Sequence, residues 1–137
     1  MANLLFTLIH YSWCLPQTLV AWIVRLFVRV HSKEKYNNTT VYYTYMKRAS
    51  VSLGHKIFLC QRNWHNSRII KHEYGHYKQS LMLGWLYLIV IAIPSMLWNV
   101  WGYPRALKKD ITISYYDYWC ESWADKLGGN LCYKQWD

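Results

Sequence analysis

Two histidines four residues apart, His72 and His76, enclose the stretch His72-Glu73-Tyr74-Gly75-His76. This short pattern constrains the fold more than any other. On a helix, residues four apart share a face, so both imidazoles can offer nitrogens to one metal ion. Glu73 lies beside them, placed to polarise a water held by that ion. The chemistry of such an HExxH helix is zinc-dependent hydrolysis. It has a structural corollary: another element must fold back and bring a third ligand.

No histidine follows His76, and Gln79 and Met82 stand where a metzincin extension would place its Gly and third His. The downstream acids are Asp110, Asp117, Glu121, Asp125 and Asp137. Glu121 and Asp125 are an i, i+4 pair on an expected last helix, Tyr115 to Leu127, closed by Gly128-Gly129. Glu121 is therefore the expected third zinc ligand, leaving a fourth position for water. Asp125 is expected to orient a ligand histidine through its other ring nitrogen. A di-iron site is excluded, since the chain has only three glutamates, Glu34, Glu73 and Glu121.

The motif helix runs on without a charge after Lys78, through an apolar segment from Leu81 to Ile93. Thirteen helical residues rise ~20 Å, short of a ~30 Å hydrocarbon core. Pro94 then interrupts it, so residues 81–101 read as a re-entrant or spanning segment with a bend at Pro94. Residues 3–30 form a second apolar, membrane-associated segment, broken at Pro16 and lacking the basic start and small-residue end of a secretory signal. Within it Arg25 and Arg29 share a helical face, as in a helix whose arginines reach lipid headgroups. Nine Trp and thirteen Tyr suit residues half in and half out of an apolar phase.

The net charge of +9 favours lipid or cytoplasmic loops over nucleic acid, because no Lys/Arg-rich tract is present. The 31–80 region carries nine Lys and Arg against two acids, which puts it and the site on the cytoplasmic face by the positive-inside rule. Cys14, Cys60, Cys120 and Cys132 form no CxxC pair and read as reduced, structural thiols. Residues 31–38 read as a loop, and 39–46 and 51–59 as the two strands of a hairpin. Asn66 or Ser67 is expected to cap the motif helix. The whole reads as a single domain, mainly α with a small β-hairpin or edge sheet and membrane-embedded helices.

His72-Glu73-x-x-His76 followed by Glu121-x-x-x-Asp125 resembles the gluzincin metallopeptidases, most closely their small and membrane-bound members. The resemblance covers residues 51–129; the N-terminal third matches by hydropathy alone. It implies a zincin-like minimal core, with Val51 to Leu59 as the edge strand on which an extended peptide lies. It also implies Zn2+ on His72, His76 and Glu121, Glu73 as general base and later proton donor, and a peptide or membrane-protein substrate. Gluzincins add a Tyr or His that stabilises the oxyanion; Tyr115, Tyr116, Tyr118, His55 and His65 are the candidates. The alternative is a non-catalytic membrane adaptor with a structural or vestigial zinc site.

Overall fold

The computed structural model describes residues 2–130; Cys132 and Asp137 lie outside the described residues. The chain is mainly α with a four-stranded mixed sheet. Helices α1 (Ala2–Leu8) and α2 (Leu15–Phe27) lead into strands β1 (Val30–Tyr36), β2 (Thr39–Thr44), β3 (Val51–Leu53) and β4 (Lys56–Leu59). Then follow α3 (Ser67–Leu83), α4 (Ile93–Leu97), α5 (Tyr103–Lys109) and α6 (Trp119–Gly128).

The hairpin expected from 39–46 and 51–59 is replaced by two others. Residues 31–38, read as a loop, supply β1 and its turn, and β1 pairs antiparallel with β2 across Asn37-Asn38. Asn37 has φ 51°, a left-handed conformation that asparagine tolerates in such two-residue turns. The 51–59 run divides at Gly54-His55, so β3 and β4 are themselves a hairpin. Gly54 supplies the positive φ, 56°, at that turn. β4 then inserts between β3 and β2, parallel to β2, giving the order β1-β2-β4-β3. Of the expected edge strand Val51 to Leu59, only Val51–Leu53 is thus an edge; Lys56–Leu59 is interior.

Strand alternation decides what each face of the sheet packs against. Val41, Tyr43, Ile57 and Leu59 meet Ile70 and Tyr74 of α3 on one face. Leu53, Phe58 and Tyr42 meet Val20, Ala21 and Val24 of α2 on the other. All four residues of β4 are buried, as expected of a strand covered on both sides. β1 is the solvated edge, and its charged Lys33, Glu34 and Lys35 are what an exposed edge tolerates.

The bend in the second apolar segment falls before the proline. Residues Ser67–Leu86 and Leu88–Lys109 diverge by 120°, after Gly84 has left helical geometry at φ 54°. A Cβ on Gly84 would meet the Trp13 ring at 2.3 Å, so the glycine also admits the first helical arm. The chain continues helically through Pro94, flanked by the wide π-helical turns Leu88–Ala92 and Trp98–Gly102. Pro94 stands in the first turn of α4, the helical position that best accepts proline. Near Pro16 the first segment bends by 91° between Trp13 and Leu15, with the proline in the first turn of α2.

No single helix among the described residues is long and apolar enough to cross a membrane. The two bent pairs dock on each other: Trp13 Nε1 donates to the Leu81 carbonyl (2.9 Å) and Trp85 Nε1 to that of Ser12 (2.8 Å). Both arms expose large apolar side chains, among them Leu5, Leu26, Phe27, Trp85, Ile89 and Trp101. Cys14, Cys60 and Cys120 are buried free thiols.

Candidate metal centre

Asn66 caps α3, its side chain accepting from the backbone N–H groups of Arg68 and Ile69. From there the helix carries His72, Glu73 and His76 inward, all buried. α6 crosses α3 at very short range. A Cβ on Gly75 would lie 1.8 Å from the Ala124 carbonyl oxygen, and one on Gly128 would lie 1.9 Å from that of Lys71. Two glycines, one per helix, therefore allow backbone-to-backbone contact that any side chain would prevent. Gly129 ends α6 at φ 82°, the left-handed cap expected of it.

This approach delivers Glu121 to the histidines. Its Oε2 lies 3.0 Å from His72 Nε2 and 3.3 Å from His76 Nε2. The other nitrogen of each ring is already committed. His72 Nδ1 donates to Asp125 Oδ1 (2.8 Å) and His76 Nδ1 to Gln79 Oε1 (2.7 Å). Those acceptors are held in turn: Gln79 Nε2 donates to the Cys120 carbonyl, and Asn130 Nδ2 to Asp125 Oδ1, both at 2.9 Å. The arrangement presents both Nε2 lone pairs and a carboxylate oxygen to one point.

Three acceptors facing one another repel unless a cation sits among them. In the metal-free protein that cation is a proton. Burial alone would lower the His72 pKa, but the bonds to Asp125 and Glu121 raise it to about 10. Burial likewise opposes ionisation of Glu121, and the two histidines outweigh it and hold the carboxyl well below its usual range. Asp125 is also lowered, its bonds to His72 and Asn130 overcoming burial. The buried His72, His76 and Glu121 could therefore hold a metal ion, their ligand atoms lying within 4.8 Å of one another.

Glu73 and the triad open into a cavity of about 780 Å³ between β3, α2 and the helices after α3. Burial raises the Glu73 carboxyl, with the neighbouring histidines pulling it back and Glu121 adding to the rise. Ser52, in the middle of β3, turns its backbone away from β4, because the flanking Leu53 and Lys56 close a two-residue hairpin. Its carbonyl accepts from the buried Tyr87 hydroxyl (3.1 Å) on the cavity wall.

Of the oxyanion candidates, Tyr115 and Tyr116 line this cavity, and the Tyr116 ring meets His72 edge-on at 5.0 Å. Tyr118 stacks on Trp98, His65 packs on Tyr43, and His55 lies against His10, all outside the cavity lining. Sequence reasoning missed Tyr87, whose signal was a polar hydroxyl inside an apolar run, and the partners Gln79 and Asn130, which carry no spacing signature. Comparison with family models, curated proteins and solved structures finds no match for the chain.

Proposed function

We propose that this chain is a zinc metallopeptidase of gluzincin type that works at a membrane surface. The observation carrying the reading is the convergence of His72 Nε2, His76 Nε2 and Glu121 Oε2 beside Glu73, in a cavity that β3 lines. When bound, zinc would supply Lewis acidity and bring the pKa of water toward ~7. Glu73 would accept the proton of the attacking water and return it to the leaving amine. Asp125 and Gln79 would hold the two rings with Nε2 forward. β3 would orient the peptide by main-chain pairing.

Three protein donors among the described residues support catalysis over the adaptor alternative, because a closed structural site takes four. The exposed apolar side chains on both helical arms support contact with a lipid bilayer. The basic 31–80 region supports placing the site on the cytoplasmic face.

One experiment tests these points together. Purified protein and the Glu73→Gln variant, in sealed vesicles of known sidedness, are assayed for zinc and for cleavage of a broad peptide mixture. Both should carry zinc. The variant should lose about 10³-fold in kcat, and cleavage should occur only from the cytoplasmic side. Equal turnover by the variant would remove Glu73 from its role.

A further inference from the structure

The cavity lining carries both apolar and basic side chains, and β3 forms part of it. Beyond Ser52, where Tyr87 meets the strand, the lining is apolar: Val20 and Val24 from α2, with Leu88 and Ile91. Before Val51 the lining holds Arg48, Ser50, Arg62 and Asn63. Arg62 Nη2 donates to the Arg48 carbonyl (3.1 Å) and Asn63 Nδ2 to Ser50 Oγ (3.0 Å), so the two segments are fastened together. Both arginine side chains are exposed at the cavity, and neither forms an ion pair with a carboxylate among the described residues. His72 and His76 line the same cavity, about one and two turns of α3 after Ile69.

We propose that Arg48 and Arg62 form an anion subsite that selects peptides with a carboxylate C-terminal to an apolar stretch. This deepens, and rests on, the peptidase reading. The polarity follows from strand direction. β3 runs from the basic end at Val51 to the apolar end at Leu53. A peptide added antiparallel to it runs the opposite way, its N-terminal residues among Leu53, Leu88 and Val24 and its C-terminal residues at the guanidiniums. Guanidinium pairs recognise carboxylates by charge-assisted, often bidentate hydrogen bonds. The carboxylate could belong to an acidic side chain or to a free chain end.

Three fluorescein-labelled peptides separate these sources. They share an apolar N-terminal half and end in a neutral Gln amide, a Glu amide or a Gln free acid. Binding is read by anisotropy on zinc-loaded Glu73→Gln protein, which needs no turnover, and cleavage is read separately on the parent. At about 0.05 M salt at least one carboxylate peptide should bind about tenfold tighter than the neutral amide, with the preference shrinking at about 0.5 M. Which one gains identifies the source. In the Arg48→Gln/Arg62→Gln double variant the ratio should fall to near one, while zinc content stays at the parental level. Equal binding of all three peptides, or a preference that survives the double variant, overturns the subsite. Selective binding without any cleavage by the parent would sustain the subsite and overturn the peptidase reading.

Discussion

Two histidine clusters in this molecule have opposite electrostatic surroundings. His72 and His76 face Glu121 and Asp125 and gain affinity for a cation. Among the described residues, no carboxylate pairs with His10 or His55. Instead the Lys56 ammonium lies 2.8 Å from His55 Nε2 and over the Trp22 ring, with Phe6 and Tyr77 packed on His10. Burial lowers His55 to about 4, with Lys56 adding to the effect, whereas His72 rises to about 10. The same residue type thus gives a cation trap in one place and a cation-repelling cluster in the other. The acids decide, and the acids arrive only because α6 approaches α3 so closely.

That dependence gives the largest expected effect. Gly75→Ala places a methyl 1.8 Å from the Ala124 carbonyl, and backbone has little room to yield. It should push α6 from α3, cost about 3 kcal/mol of stability, and strip the first cluster of its acids while leaving the second intact. Thermal denaturation with metal analysis would check both halves. Unchanged stability would mean that the helices are not held at this distance.

A smaller effect should follow from Asp125→Asn, which keeps size but removes the charge beside His72 Nδ1. Zinc affinity should fall roughly 10- to 100-fold, measured by competition with a chelator. An unaltered affinity would show that Asp125 does not orient the ring.

The pH profile of the metal-free protein separates the clusters more gently. His72 has a raised folded pKa, so its contribution to stability is complete below about 6.5 and is lost as pH rises through about 10. His55 has a lowered folded pKa, so the unfolded chain binds its proton first and stability is lost as pH falls from about 6.5 through about 4. Lys56, lowered to about 8 mainly by burial, adds stability with rising pH above that value, opposing the His72 trend. Urea denaturation of the parent and of His72→Gln and His55→Gln should assign the alkaline limb to the first histidine and the acid limb to the second. A His55→Gln profile matching the parent below pH 6 would contradict this division.

The metal face of the molecule was readable because local rules set it. The i, i+4 spacing, the Asn66 cap and the Gly128-Gly129 terminus each act over one or two turns, and all appear in the fold. Spacing alone did not decide among the acids, however. Asp117 is also four residues from Glu121, yet its carboxylate accepts from the Ser114 N–H in a capping turn, Tyr115–Asp117, that precedes the shorter α6. The sheet was harder to read for a different reason. Parallel pairing of β2 with β4 is a long-range choice with no local signature, and β1 is exposed and charged enough to resemble a loop. The bend at Gly84 rather than Pro94 reflects tertiary contact, since Trp13 fills the space that a side chain would need. The second histidine cluster joins α1, α2 and the β3–β4 turn, which no single stretch of sequence could announce.

The most direct test of the central claim is the metal content of the purified protein beside single variants of the two clusters. One zinc per chain should be present in the parent and in His10→Ala and His55→Ala, and should be lost from His76→Ala and Glu121→Ala. Absence of metal from the parent, or its retention without His76 and without Glu121, would contradict the account.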